Sequence, residues 1–348
     1  MTDPIPMLDS LIRDPLFQLS LPDQDAFHSN MLSWLIRMHP AAAYPLSEIT
    51  DALLGSIVKR DWHGLDLFVD EDMGSHKLAL INRVHSLPTA DRLDAIAGNV
   101  RWPITVHLML SLVTPHEPVP EPWLHVDYSQ LIRPLRESVK ILRASDDSSS
   151  ADIVGAYAVL IERLVSARES IEQALSRDAP LYFDAIPYDA ATRSGVNSLA
   201  EKLRINLLAE HVSRHAGQAV AVDLSSQYGS AQLLFATRTG HQLGWRSWKN
   251  EIQRVVALED TIPSRWRGQR GERESYVKQH FADFFVSAPR MLDQFLDPPV
   301  QMAGGKSREP NVVFDPWRGR FGAPPSAYTA ACAALTDYAR RFAEDSAV

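Results

Sequence analysis

Apolar residues first recur at helical spacing after Pro22-Asp23, where Phe27, Met31, Leu32, Trp34 and Leu35 mark one face. Ahead of them, residues 7–21 carry apolar positions at mixed spacing and predict a short helix. Residues 46–58 predict a second helix or helical turn, with Ile49, Leu53, Leu54 and Ile57 together. The period then changes. Leu65–Val69, Leu78–Val84 and Ile104–Leu112 are short apolar runs bounded by Gly, Pro and charged clusters, which predicts strands. Thr89–Ala97, between the last two, returns to a helical pattern. The order α, β, β, α, β predicts a mixed sheet flanked by helices, an α/β core.

Thr114–Pro122 is proline-rich and predicts a stiff, extended connection; Trp102-Pro103 favours a compact core ending near Pro122. Residues 128–144 and 151–176 predict two long helices, separated by Ser145–Asp152, whose last residues suit a cap. Another helix is expected over 197–216. Ala219–Leu224 and Ala231–Thr237 flank a Gly-containing turn and predict a hairpin. Helices are expected near 246–258, 274–295 and 325–345. The division expected is a core over 1–125 and a helix-rich region over 126–348 with a hairpin near 219–238, either separate or packed onto the core. Gly304-Gly305-Lys306-Ser307 lacks the first glycine of a phosphate loop and follows no convincing strand.

Composition narrows the setting. In 348 residues, a hydrophobic fraction of 45% and a charged fraction of 22% are ordinary for a soluble globular protein. No apolar run approaches the ~20 residues of a membrane span, so no membrane partner is expected. Met1–Pro6 lacks the basic and apolar regions of a secretory signal. The lone cysteine, Cys332, excludes an internal disulfide and a cysteine-rich zinc site, and a cytoplasmic setting is expected. A net charge of −8 argues against indiscriminate coating of nucleic acid. One stretch runs the other way: Arg246, Lys249, Arg254, Arg265, Arg267, Arg270 and Arg273, with Trp245, Trp248 and Trp266 among them. Cations that neutralise phosphates beside indoles that stack on bases make a candidate nucleic-acid surface, with Arg246, Lys249, Arg265 and Arg267 as contacts. A solvated helix and an arginine-rich loop, partly cancelled by Glu272 and Glu274, is the plainer alternative.

The chemistry concentrates near the N-terminus. Asp25-Ala-Phe-His28-Ser29 is followed by Leu32-Ser-Trp34-Leu35, then Gly64-Leu-Asp66-Leu-Phe-Val, then Leu80-Ile81-Asn82-Arg83. Arg92-Leu93, Leu112-Val113-Thr114-Pro115 and Trp123…Tyr128-Ser129 come later. In this order the features resemble the PD-(D/E)XK nuclease superfamily, in the bacterial branch that opens with Glu-x-x-His-Ser and a Leu-x-Trp-Leu helix. The resemblance covers about the first 140 residues. It implies a restriction-endonuclease-like core with a mixed central sheet, plus a large, mostly helical C-terminal half. It places Asp25 at the opening acid and Asp66 at the strand aspartate. Ile81 stands at the metal-binding glutamate, Arg83 at the lysine, and Arg92 at a site-adjacent glutamine.

The departures touch the chemistry directly. In the family, the aspartate and glutamate bind magnesium or a similar dication, and the lysine orients or activates water. Ile81 has no ligating oxygen, and Arg83 stays protonated, so it suits phosphate better than base catalysis. Alternation puts Ile81, Arg83 and His85 on one side of an extended strand, where Asp66 is expected to pair with Arg83. His28 and Ser29 either tie the helix to the sheet or face a substrate; Arg92 meets phosphate or solvent; His85 suits a half-buried polar role better than a metal site. The resemblance therefore implies an impaired or inactive nuclease-like protein that binds DNA, RNA or a partner protein, in bacterial defence or DNA maintenance, with no cofactor. One alternative is an active enzyme using Mg2+ or Mn2+ on Asp66 and a relocated carboxylate such as Asp61, Asp91 or Asp94. Another is a protein-interaction scaffold.

Overall fold

The computed structural model describes residues 6–50, 57–70, 77–99, 104–179, 196–226, 228–249, 251–258, 270–286, 292, 296–297, 311–319 and 323–345. Leu53, Leu54, Trp102-Pro103, Arg265, Trp266, Arg267, the 304–307 string and the later part of the 274–295 helix expectation lie outside the described residues. The chain forms two compact units: residues 1–173 with 183–200, and residues 174–182 with 201–348.

In the first unit, α1 (Pro6–Ile12) and α2 (Pro15–Ser20) lead into α3 (Gln24–Met38). Asp14 and Asp23 stop the preceding turns and start the helices: Asp14 accepts from Leu16 N and Phe17 N, and Asp23 from Ala26 N at 2.9 Å. Each such cap contributes about 1 kcal/mol. The face of α3 that turns inward carries His28, Ser29, Leu32, Leu35 and Ile36. Then follow α4 (Pro40–Ala43), a 3-10 turn at Tyr44–Leu46, and α5 (Ser47–Thr50). The helical turn expected within 46–58 is present at Ser47–Thr50, but the end of that expectation is corrected: Ile57 begins a strand.

That strand, β1 (Ile57–Trp62), joins β2 (Leu65–Asp70) and β3 (Lys77–Arg83); α6 (Ala90–Asn99) then leads to β4 (Val106–Ser111) and β5 (Trp123–Asp127). The five strands lie side by side in chain order, antiparallel from β1 to β3 and parallel from β3 to β5. The expected mixed sheet with flanking helices is present. β2 and β3 are buried almost throughout, as continuous apolar runs covered on both faces should be. β1 escaped notice because Lys59, Arg60 and Asp61 interrupt its pattern. Its turn is His63-Gly64, with φ of +53° and +86°, the left-handed pair a tight hairpin demands.

After β5 come a 3-10 turn at Tyr128–Leu131, α7 (Ile132–Ala144) and α8 (Ser148–Ser176). A boundary after residue 125 falls inside β5, which pairs with β4 along its length. Asp127, at the end of β5, pairs with Arg168 of α8, whose Nη1 also donates to the Leu112 carbonyl at 3.0 Å. The Asp14 carboxylate likewise pairs with Arg163 of α8.

Beside the helices expected in the C-terminal half, the second unit holds a six-stranded sheet, of which only one hairpin was expected. After α9 (Val196–Ala216), β6 (Ala221–Asp223) and β7 (Ser230–Ala236) form the expected hairpin. The segment expected as a helix near 246–258 is instead β8 (Gln242–Trp248) and β9 (Glu251–Ala257), an antiparallel pair. Arg254 on the inward face of β9 disguised the strand alternation. α10 (Arg270–His280) and α11 (Ala282–Val286) follow, then β10 (Leu296–Asp297), β11 (Asn311–Gly319) and α12 (Pro325–Asp345). β11 hides behind Pro316, which falls where its register with β9 shifts between Phe314 and Trp317, as prolines in strands do. The six strands run β10-β11-β9-β8-β7-β6, all antiparallel. Leu243, Val256, Phe284, Val312 and Ala339 join strands to helices in one core cluster.

Candidate functional site

The end of β3 and the start of α3 bring Asp25, Asp66, Asn82 and Arg83 together. β2 pairs with β3 so that Leu67 faces Leu80, and one step further Asp66 lies opposite Ile81. Alternation puts Asp66, Ile81 and Arg83 on one face of the sheet and Asn82 on the other. The Arg83 guanidinium hydrogen-bonds the Asp66 carboxylate through Nη1, with Asp25 Oδ2 3.8 Å from the same nitrogen. Asp66 Oδ2 also accepts from Asn82 N, and Asp25 Oδ1 from Val84 N, each at 2.7 Å. Each carboxylate thus has one oxygen engaged. Among the described residues, Asp25 Oδ2 and Asp66 Oδ1 receive no hydrogen bond.

Two acids share one guanidinium, and their electrostatics reflect the shortage. Burial pushes the Asp25 carboxyl up to about 6, against the opposing pull of Arg83 and the Val84 N–H. Burial also holds Asp66 above the ordinary carboxylate range, despite Arg83 and the Asn82 N–H. Ile81 is fully buried and supplies no oxygen.

On the opposite face, Asn82 fastens α3 to the sheet. Its Nδ2 donates to the Asp25 carbonyl at 3.0 Å and to Ser29 Oγ at 3.1 Å, and its Oδ1 accepts from the Tyr128 hydroxyl at 2.6 Å. His28 belongs to this interior. It is fully buried, Nδ1 lies 3.1 Å from the Tyr157 hydroxyl, and burial drives its pKa down to about 3. His28 is a neutral packing residue rather than a group facing a substrate, and Ser29 is equally buried. In the sequence Asn82 and Tyr128 stand only as members of motifs, with no role assigned, and Tyr157 carries no signal. The Asn within Ile-Asn-Arg and the buried polar His-Ser pair were the available signal.

Other candidates lie apart. Arg92 is exposed on α6, and its side chain joins none of these hydrogen bonds; Asp91 and Asp94 are exposed beside it. Asp61, exposed in β1, sits close enough for its charge to add to the rise at Asp66. His85 is half-buried just past Arg83.

A magnesium or manganese ion fits this donor set poorly. Ile81 offers nothing where a third ligand would stand, and a fixed guanidinium occupies the space between the acids. Among the described residues, no group of three His, Cys, Asp or Glu side chains is placed to hold a metal. A dication about 4 Å from the guanidinium would meet roughly 8 kcal/mol of repulsion at an effective dielectric near 20.

The basic stretch is partly dismantled. Trp245 is fully buried, with Nε1 donating to Thr336 Oγ1 at 2.8 Å. Arg254 is buried too, donating to the Phe284 and Phe285 carbonyls and lying over the Trp317 ring. Arg273 is likewise buried. Arg246 and Lys249 remain half-exposed on the β8–β9 hairpin.

Among the described residues, no helix is long and apolar enough to cross a membrane. Comparison of the chain with family models, curated proteins and solved structures finds no match.

Proposed function

We propose that this protein is a PD-(D/E)XK-like, restriction-endonuclease-type fold that has lost metal-dependent hydrolysis and binds nucleic acid. The supporting observation is the guanidinium of Arg83, held by Asp66 with Asp25 beside it, opposite the ligand-free Ile81. A tethered monocation takes the place of an exchangeable dication. It neutralises the acids in part and supplies no bound water to attack a phosphodiester.

The test is a manganese titration followed by thermal melting, beside a cleavage assay on DNA and RNA. Ion binding to the folded state raises Tm. The wild type is expected to show no shift and no cutting. Ile81→Glu combined with Arg83→Lys restores a third carboxylate on the same face, and its Tm is expected to rise by several degrees in manganese. Magnesium-dependent cutting by the wild type, abolished in Asp66→Ala, overturns the proposal.

One observation favours a second reading, a working nuclease with a relocated ligand: the Asp61 charge is felt at Asp66. In that case Asp61→Asn removes cutting as completely as Asp66→Ala.

A further inference from the structure

We infer that the end of the β8–β9 hairpin is a contact surface for single-stranded nucleic acid, with stacking on Trp248 and phosphates on Arg246 and Lys249. This rests on the nucleic-acid reading above and names the surface and the form of ligand. Arg246 and Trp248 are two residues apart on β8 and share a face of the sheet. Arg246 lies between Gln232 on β7 and Gln253 on β9, and Trp248 between Ser230 and Glu251. Gly244 is on the same face. A Cβ there would sit 1.9 Å from the Leu233 carbonyl oxygen, so β7 and β8 approach in a way only glycine permits, and position 244 adds no side chain next to Arg246 along β8.

Lys249 follows Trp248 with φ of +54°. Its ammonium lies 4.4 Å from the centre of the Trp248 ring and 4.6 Å from that of Tyr228. The cation–π contacts fix a positive charge at the hairpin end between two aromatic rings. A turn lock alone would account for Lys249. It does not account for Arg246, which has no ion pair or hydrogen-bond partner among the described residues, nor for the Gln232 amide, which has none either.

Two other arginines of this unit are matched to structural partners. Arg204 pairs with Glu201 and lies over Tyr328, and Arg254 meets two carbonyls. Among the described residues the hairpin holds two cations without carboxylate partners, beside an indole, the Gln232 amide and the Gln253 amide, which donates to Glu251 Oε2 at 3.2 Å. Phosphates answer the cations, base faces answer the indole, and base edges answer the Gln232 amide. Single strands are specified because duplex bases keep their faces stacked against each other, out of reach of a side chain on a sheet.

The experiment measures anisotropy of a labelled oligothymidine with the full chain, beside a duplex of the same length, at about 50 mM and about 200 mM salt. Two phosphate contacts predict a log–log slope near −1.4, or about sevenfold weaker binding at the higher salt. Arg246→Gln with Lys249→Gln is expected to weaken binding at least tenfold and flatten the slope. Trp248→Ala is expected to weaken it about tenfold at unchanged slope, and Trp248→Phe to restore it. Melting curves confirm that the variants fold. Wild-type affinity and slope in the folded double variant overturn the inference. So does equal binding of the duplex, or no binding at about 50 mM salt. None of these outcomes bears on metal response or cleavage, which test the loss of hydrolysis separately.

Discussion

Asp25 is a carboxylate whose surroundings favour its protonated form. Its pKa is pushed from the ordinary 3.8 up to about 6, so the folded state binds the proton more tightly than the unfolded chain does. The stabilisation from this proton is complete below about 4 and is lost as pH rises through about 6. At neutral pH ionised Asp25 therefore lowers stability, by on the order of 1 kcal/mol once its one-third solvent exposure is allowed for. Asp25→Asn keeps an acceptor for the Val84 N–H and removes the charge. It is expected to match or exceed the wild type at pH 7.5 in urea melts, and to lose that advantage at pH 5. Arg83→Met acts in the opposite direction. It leaves two acids without their shared cation, and a loss of about 3 kcal/mol is expected at pH 7.5, shrinking as the pH falls. The residue types at this site were readable in the sequence, because acids, guanidinium and isoleucine stood at recognisable spacings. The one-to-two ratio of cation to acids in a half-buried setting was not, since it depends on how deeply α3 seats against β3.

Elements explain which expectations held. β2, β3 and β4 are covered on both faces, so their runs of Leu, Val and Ile are unbroken and easily read. The edge strand β1 carries Lys59 and Arg60, and β9 turns Arg254 inward, so neither shows a clean alternation. Asn82 is the junction between α3, β3 and the turn at Tyr128. Asn82→Ala leaves the buried Tyr128 hydroxyl without an acceptor and removes both bonds to α3, for an expected loss of 2–4 kcal/mol, roughly the cost of a broken buried polar network. Tyr128→Phe leaves one carbonyl lone pair open and is expected to lose about 1 kcal/mol. The double variant is expected to lose less than the sum of the two, which a double-mutant cycle in urea checks.

At the scale of the chain, neither compact unit is one continuous stretch. The first runs through residue 173 and resumes at 183–200. A fragment ending at 125 severs β5 and discards Tyr128, Leu131 and Arg168, all buried, along with Arg163, the partner of Asp14. Such a fragment is expected to lack a cooperative melting transition and dispersed amide resonances, whereas residues 1–200 retain both. The proline-rich stretch ending at Pro122 suggests an early boundary, because prolines commonly mark linkers. The long helix α8 carries no family-like motif; its role appears only through Arg163 and Arg168, which reach back to Asp14 and Asp127.

The pleat of β3 has an evolutionary corollary. Positions 81 and 83 look towards the paired acids and position 82 towards the scaffolding, so two separate sets of demands fall on opposite sides of three consecutive codons. The charge pairing on one side can change while the helix stays riveted from the other. In a saturation library read out by folding alone, position 82 should keep its asparagine, position 81 should stay apolar because it is fully buried, and position 83 should stay cationic because two acids share it.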